Sequence, residues 1–335
     1  MNGAAHIPVM AREALEALNP VDGGVYIDAT FGAGGYARRM LDAADCTVYA
    51  FDRDPRAVAA AADLVKAFEG RLILINRPFD EMEEAVGEHG VSSVDGIVFD
   101  LGVSSMQLDE GERGFSFRKD GPLSMRMDAG SPDAANVVAT ADESELAAIF
   151  KTYGEERNAR RLARAIIKER EAAPIETTSR LAALIEDATP KRGAQKIHPA
   201  TRVFQALRIF VNDELGQLRR ALRAAERLLK PAGRLVVVTF HSLEDRIVKR
   251  FFGARTGDAP RASRHAPETA APLATFRLLN RKALAASDAE ANENPRARSA
   301  KLRAGERLAG PALETQDDLQ PDFSFCLSDF QGEPA

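Results

Sequence analysis

Four short segments in the first 100 residues are almost continuously apolar. They cover 25–28, 47–52, 72–76 and 95–100. Runs of this length and composition predict strands that are buried on both faces. Helical patterns separate the first three, and the alternation of strand and helix predicts βαβ units with a parallel sheet. One of these helices is predicted over 55–69, between the second and third strands.

A fifth apolar segment, 234–240, comes much later than a simple crossover requires. Helical periodicity fills the gap, so the pattern predicts an all-helical subdomain inserted into a doubly wound, mostly parallel α/β domain. The expected division is 1–105 with 213–310 for the α/β domain, 106–212 for the insertion and 311–335 for a flexible tail. The other elements that the pattern predicts are helices over 143–150, 155–168, 179–188, 201–229 and 243–252, and a terminal hairpin from 276–279 and 301–307.

Composition narrows the class of protein. Hydrophobic residues make up 45% of the chain and charged residues 28%, as in soluble globular proteins. The two cysteines, Cys46 and Cys326, form no metal-ligand or redox spacing, which favours a reducing, cytoplasmic setting. The first 20 residues lack the features of a secretory signal, and the longest apolar runs are strand-sized. The chain is therefore expected to use no membrane and no metal.

Charge is unevenly distributed. Residues 1–150 carry 12 Lys and Arg against 26 Asp and Glu, whereas 151–230 carry 18 against 10. A basic middle segment indicates either a surface that meets a polyanion or a set of solvated helix faces.

A glycine-rich loop follows the first predicted strand and leads into a helix. Gly32, Gly34 and Gly35 allow close backbone approach to a ligand, and Asp52 ends the second strand 20 positions after Gly32. An acid there suits the hydroxyl groups of a ribose. The order of strand, glycines, helix and acid therefore predicts a cofactor that contains a nucleoside.

Two cofactors fit this loop, a nicotinamide dinucleotide and S-adenosylmethionine. Asp28 precedes the glycines, where it would repel a pyrophosphate but face a cationic amino-acid group. Asp100 ends the fourth strand, close to where a sulfonium methyl group would lie. The basic insertion also suits a macromolecular substrate better than a small one. These features favour S-adenosylmethionine, with a dehydrogenase acting on a small substrate as the alternative.

Eight motifs, in this order, resemble the RsmH (MraW) family, and the resemblance runs from about His6 to about Arg307. They are FGAGG (31–35), DLGVSSMQLD (100–109), RGFSF (113–117), GPLSMRMD (121–128), YGEER (153–157), HPATR (198–202), FHSLEDR (240–246) and NPRARS (294–299). The resemblance implies a class I methyltransferase fold and S-adenosylmethionine-dependent N4-methylation of a cytidine in the decoding region of 16S ribosomal RNA. It also implies a partner, the small ribosomal subunit, and leaves a homodimer possible.

The family's cofactor contacts, carried onto matching positions, form one set of expected site residues. They are Gly34, Gly35, Tyr36, Asp52, Phe79, Asp100 and Gln107, with Asp28 and Gly32 in support. Tyr36 replaces a histidine that is frequent at that position. Phe79 is expected to pack on the adenine.

Asp100 is also the first choice for the catalytic residue, because an acceptor for the cytosine amine would orient its lone pair towards the methyl group. The other role open to it is binding the cofactor's amino group. His241 and Ser242, after the fifth strand, either line the nucleotide pocket or belong to a helix cap formed by Ser242 and Asp245. His241 is in addition a candidate general base.

Basic and aromatic residues supply the expected RNA contacts. Phe115 or Phe117 would stack on a base while arginines meet phosphates, although the same loop could instead be a lid over the cofactor. The expected RNA-binding residues are Arg113, Phe115, Phe117, Arg118, Arg157, Lys191, Arg192, Arg202, Arg296 and Arg298. A non-catalytic RNA-binding or assembly protein and a protein methyltransferase remain as further alternatives.

Overall fold

The computed structural model describes residues 8–128, 130, 132–190, 197–257, 273–313, 327 and 330. The chain divides into two compact units. One comprises Met1–Gly102 with Gly216–Gln320, and the other comprises Val103–Leu215 with Pro321–Ala335. Of the tail expected at 311–335, the structure describes only 311–313, Leu327 and Phe330.

An eight-stranded sheet dominates the first unit. Its strand order is β3-β2-β1-β4-β5-β8-β6, with β7 paired to β8. Strands β1 to β5 are parallel to one another, and β8 pairs antiparallel with β5, β6 and β7. The predicted fold class, α/β with a mostly parallel sheet, is confirmed. The strands are β1 Val25–Asp28, β2 Thr47–Phe51, β3 Leu72–Ile75, β4 Val94–Asp100, β5 Leu229–Thr239, β6 Phe276–Leu278, β7 Leu284–Ala285 and β8 Lys301–Arg307.

Fourteen α-helices lie in the part of the chain that the structure describes. They are α1 Ala11–Leu18, α2 Gly35–Ala43, α3 Pro55–Ala60, α4 Ala62–Ala67, α5 Met82–Glu88, α6 Ser105–Asp109, α7 Ala134–Thr140, α8 Glu143–Gly154, α9 Ala159–Ala172, α10 Thr178–Ala188, α11 Ala200–Val211, α12 Glu214–Leu228, α13 Ser242–Arg255 and α14 Asp288–Glu293. None of the helices among the described residues is long and apolar enough to cross a membrane.

The central strands form the core of the first unit. Ile27, Val48, Ile97 and Leu235 are fully buried, one from each of the four strands β1, β2, β4 and β5. Continuous burial explains why these segments carry apolar residues at successive positions rather than at alternate ones. The predicted terminal hairpin is confirmed in part, because β6 and β8 pair antiparallel but β8 also pairs with β5.

Two predicted helices are each divided in two. The helix expected over 55–69 is interrupted at Ala61, between α3 and α4. The helix expected over 201–229 ends at Val211, and α12 begins at Glu214. Asp213 adopts a left-handed backbone (φ 47), which a continuous helix cannot contain.

The side chain of Asn212 fixes this break within the second unit. Its Nδ2 donates to Met125 O at 2.7 Å, and its Oδ1 accepts from Met127 N at 3.0 Å. Met125 is fully buried and also has a positive φ of 58°. Because these bonds satisfy a strained, buried segment, tertiary contacts override a helical periodicity that the sequence alone would continue.

The second unit is otherwise helical, with α6 to α11 and the start of α12. Acidic or hydroxyl side chains begin three of its helices: Asp133 caps α7, Asp142 caps α8 and Thr177 caps α10, each by accepting from the backbone N–H three residues after the cap. A single bridge joins Pro122 to Thr177.

Candidate functional site

The carboxyl ends of three neighbouring strands carry the acids that the sequence singles out. Strand β1 ends at Asp28, β4 ends at Asp100, and Asp52 follows β2 directly. Since β2, β1 and β4 are adjacent and parallel, these three positions lie side by side at one edge of the sheet. In open α/β sheets ligands bind at this edge, where the strand order reverses.

Asp28 does not occupy the position that the sequence reasoning gave it. Its side chain is fully buried, Oδ2 accepts from Ala37 N at 3.0 Å and Oδ1 accepts from Thr30 N at 3.2 Å. Ala37 lies in the first turn of α2, so the carboxyl group braces the glycine loop from inside the protein. Burial raises its pKa to about 7, although the two backbone hydrogen bonds act in the opposite direction. The carboxyl group therefore faces the protein interior in this structure, and its expected contact with a cationic ligand group stays a prediction.

Asp52 holds the other side of the same loop and keeps part of its surface at the rim. Its Oδ2 accepts from Gly32 N at 2.9 Å, and its Oδ1 accepts from Asp54 N at 2.8 Å. The residue is half-buried, and burial raises its pKa to about 6. A carboxylate with remaining lone pairs at this position can accept hydrogen bonds from the hydroxyl groups of a ribose.

Asp100 carries a buried carboxyl oxygen with unused acceptor capacity. Thr30 Oγ1 accepts from Asp100 N at 2.6 Å and anchors the end of the strand. Oδ1 is shielded from solvent, and no donor among the described residues reaches it. Burial raises the pKa of Asp100 well above its usual value, and nearby Asp28, Glu244 and Glu290 act in the same direction. The carboxyl group is therefore easier to protonate than an exposed aspartate until a cation or donor partner arrives.

The glycine loop leaves little room for side chains. Gly34 has a φ of 76°, and a Cβ atom there would lie 2.5 Å from Leu64 Cδ2. A Cβ atom at Gly35 would lie 2.8 Å from Pro8 Cδ. Tyr36 follows them at the start of α2, and its buried hydroxyl donates to Val9 O. The Tyr36 side chain thus anchors the N-terminal segment, which leaves backbone groups as its means of contacting a ligand.

Two further predicted cofactor contacts have clear local partners. The ring of Phe79 is half-buried and meets the edge of the Phe99 ring at a centroid distance of 5.6 Å. Gln107, which lies in the second unit, accepts from Ser104 N at 3.0 Å through Oε1 and completes the cap of α6. Their roles towards a ligand stay predictions.

The cap of α13 is formed by a different pair from the one expected. His241 is the N-cap residue, its Nδ1 accepts from Glu244 N at 3.4 Å, and Glu244 Oε2 accepts from His241 N at 3.2 Å and from Phe240 N at 2.7 Å. The expected Ser242 and Asp245 pair is therefore wrong by one position. Asp245 instead pairs with Lys301 and Arg303 of β8.

Glu244 is a residue of this edge that the sequence reasoning missed. It is almost fully buried and contributes to the raised pKa of Asp100. An N-cap histidine followed three residues later by glutamate was the available signal. It was obscured because Ser242, followed by Asp245, offers the more frequent type of cap.

The side chains of Arg113 and Phe115 make contacts within the second unit. Arg113 Nη2 donates to Arg126 O at 3.1 Å and to Met127 O at 3.2 Å. Its guanidinium group lies over the Phe115 ring, 5.6 Å from the centroid, and Phe115 is buried. Both side chains therefore help to fold the 113–127 segment, and their phosphate and base contacts stay predictions.

We expect Arg113→Gln to reduce stability rather than act as the loss of a phosphate contact. A neutral amide cannot span both carbonyl acceptors, and the unpaired carbonyls near buried Met127 should cost about 1–3 kcal/mol in the free energy of unfolding. Urea denaturation measures this cost. An unchanged midpoint together with weaker RNA binding would restore the original interpretation.

The other predicted RNA contacts fall in different places. Phe117 is half-buried against the rings of His198 and Phe204, at centroid distances of 4.6 Å and 5.0 Å. Arg118, Arg157 and Arg202 are exposed in the second unit, whereas Arg296 and Arg298 are exposed in the first. Lys191 and Arg192 lie outside the described residues.

Comparisons with known proteins identify the family of this chain. The model of the MraW methylase family matches residues 3–308. Ribosomal RNA small subunit methyltransferase H of Sinorhizobium fredii is 60% identical over 314 residues, which cover 94% of this chain and 90% of that protein. The proteins of the same name from Maricaulis maris and Parvibaculum lavamentivorans are 57% and 55% identical, and cover 95% and 93% of this chain and 96% and 92% of their own lengths. The predicted resemblance is confirmed, and the chain belongs to the MraW methylase family.

Proposed function

We propose that this protein transfers a methyl group from S-adenosylmethionine to the exocyclic N4 of a cytidine in 16S ribosomal RNA of the small subunit, in its decoding region. The observation that carries the proposal is a pair of acids at one edge of the sheet. Asp52 and Asp100 lie on either side of strand β1, which leads into the Gly32–Gly35 loop. Family membership and the names of the relatives support the reaction class and the substrate.

The residues present fit the proposed cofactor. Asp52 offers lone pairs for ribose hydroxyl groups, and Asp100 Oδ1 is a buried acceptor that lacks a donor among the described residues. A cofactor that ends in an ammonium group supplies the missing cation and donor. The half-buried ring of Phe79, at the end of β3, offers an apolar surface for an adenine.

When bound, S-adenosylmethionine supplies a methyl group on a positively charged sulfur with a good neutral leaving group. The chain's own contribution is position and electrostatics. Thr30 fixes the end of β4 by accepting from Asp100 N, and Gly102 turns the backbone sharply two residues later (φ 103). Asp100 is thereby held rigidly at the edge, where its carboxylate accepts an N–H from the cytosine amine or from the cofactor's amino group.

His241 is better suited to support the site than to remove a proton. Its Nδ1 already accepts from Glu244 N, and its Nε2 lies 3.1 Å from Glu244 Oε1. Because Nδ1 accepts this hydrogen bond, the proton of a neutral ring lies on Nε2, which makes no hydrogen bond among the described residues, so the ring has no free lone pair for a substrate proton. The N-methylated amine is acidic while it carries the extra proton, so water accepts that proton, and Ser242 at the exposed start of α13 has no required part in the step.

Nucleoside mass spectrometry tests the reaction. Small-subunit ribosomal RNA incubated with the protein and S-adenosylmethionine should gain N4-methylcytidine, and labelled methyl groups should be released by ribonuclease. Label that resists ribonuclease and is removed by protease would indicate a protein methyltransferase. RNA bound without any methyl transfer would indicate a non-catalytic assembly protein.

Thermal stability tests the cofactor independently of the RNA. S-adenosylhomocysteine should raise the unfolding temperature, whereas NAD should leave it unchanged. The reverse result would favour the dehydrogenase. The same reaction on naked RNA and on assembled small subunits identifies the physiological form of the substrate, and sedimentation tests the proposed possibility of a homodimer.

A further inference from the structure

Helix α9 and the residue before its cap present a row of positive charge in the second unit. Its members are all exposed, and they occupy the N-terminal two thirds of the helix and its approach: Arg157, Arg160, Arg161, Arg164 and Lys168. The opposite side of the helix carries the buried residues Leu162, Ala163 and Ile166. We call this row the α9 face.

The α9 face differs from other basic residues of 151–230 in how many of its side chains form ion pairs with acids. Among the described residues only Arg164 of this row has an acidic partner, Glu143, at 3.1 Å. In contrast, Arg220 pairs with Asp80 and Arg227 pairs with Glu83. The positive charge of residues 151–230 is thus largely neutralised on α12 and left open on α9.

The arrangement is unfavourable for the helix itself. A helix N-terminus carries partial positive charge, and α9 has Arg160 and Arg161 in its first turn with no acid. Arg160–Arg164 and Arg164–Lys168 are like-charge pairs at i,i+4, which also oppose helix formation. Charges that weaken the free helix and lack partners point to an anionic ligand that supplies the compensation.

We infer that the α9 face binds the phosphate backbone of the substrate RNA, an inference that rests on the proposed function. Arginine is suited to phosphate through its planar set of donors. The side chains of α9 include no exposed large hydrophobic residue, whereas protein interfaces centre on apolar and aromatic anchors. Phosphate contacts position RNA without reading its sequence, so this surface contributes affinity and register and leaves target choice to other groups.

A pair of matched double variants tests the inference. Arg160→Gln/Arg161→Gln removes two open charges, and Arg220→Gln/Arg227→Gln removes two paired charges with the same change in net charge. Fluorescence anisotropy should be measured with in vitro transcribed small-subunit ribosomal RNA from 50 mM to 200 mM salt. The α9 variant should bind roughly tenfold more weakly, and its log–log salt slope should fall by about 1.4 for single-stranded contacts or about 1.8 for a duplex. The α12 variant should retain the wild-type slope.

Stability separates a lost contact from a misfolded protein. Since the open charges oppose the helix, the unfolding temperature of the ligand-free α9 variant should equal or exceed that of the wild type. Its affinity for S-adenosylhomocysteine should be unchanged. If both double variants lose RNA affinity equally, or neither does, the inference is wrong.

Two further results would distinguish a failure of this inference from a failure of the proposed function. An α9 variant that binds naked RNA like the wild type but fails to bind assembled small subunits would place a ribosomal protein on this face and overturn the inference. A wild-type protein that transfers no methyl group yet shows the α9 salt dependence would refute the proposed function alone.

Discussion

Asp100→Asn should lower methyl transfer to RNA by about 10² to 10³-fold while leaving the ligand-free protein folded. Burial raises the pKa of Asp100 in the free protein and so favours the uncharged carboxyl group, which a neutral amide of nearly the same shape resembles. Once a donor or cation binds, only the carboxylate can supply the charged acceptor. Labelled methyl transfer and a thermal unfolding curve measure the two effects.

Measuring the rate at saturating cofactor and the affinity for S-adenosylhomocysteine separately identifies what Asp100 binds. A lower rate at saturating cofactor means that the carboxylate orients the cytosine amine, whereas weaker S-adenosylhomocysteine binding means that it holds the cofactor's amino group. Asp95→Asn is the matched control, because Asp95 lies at the other end of β4 and accepts from Val25 N and Lys230 Nζ. Wild-type activity in Asp100→Asn would remove this residue from the site.

Asp28→Asn should change how stability depends on pH. The folded pKa of Asp28 is about 7 and its ordinary value is 3.8, so the proton is held more tightly in the folded state. The stability that this group contributes is fully present below pH 3.8 and is lost as the pH rises through about 7. The whole change is on the order of 4 kcal/mol, and more than half of it falls between pH 5 and pH 8.

Denaturant unfolding of the ligand-free protein at pH 5 and pH 8 measures this linkage. Relative to wild type, Asp28→Asn should gain roughly 2–3 kcal/mol on going from pH 5 to pH 8, on top of a constant cost for the amide group that faces a backbone N–H. Asp245→Asn provides a control of opposite sign. Although burial opposes it, hydrogen bonds from Arg303 and Lys301 lower the pKa of Asp245, so its contribution is lost as the pH falls. A pH-independent difference for Asp28→Asn would contradict the raised pKa.

The sequence is sufficient to predict the sheet and its candidate ligand-binding edge. Strands buried on both faces need continuous apolar runs, and such runs are visible without any tertiary information. The acids at the ends of three of these strands are equally visible, and parallel strands bring their carboxyl ends to one edge. Asp52, Asp100 and the glycines of the loop after β1 are therefore identifiable as candidates from the sequence.

Which of these three acids has an oxygen that can accept a hydrogen bond from a ligand depends on the tertiary structure. Asp28, Asp52 and Asp100 are equivalent in the sequence pattern, yet Asp28 is fully buried against backbone N–H groups and Asp100 keeps an acceptor without a donor among the described residues. Burial and hydrogen bonding depend on residues distant in sequence, such as Ala37 and Glu244, and no local pattern encodes them.

The basic residues show the same division. Composition gave the positive charge of the middle segment, but the net charge of a segment does not distinguish a paired arginine from an open one. Arg113 is bound to backbone carbonyls, Arg227 to Glu83, and Arg160 to no acid among the described residues. The reason is physical: charge is a property of the side chain, whereas its availability to a ligand depends on the neighbours that the fold places within a few ångströms.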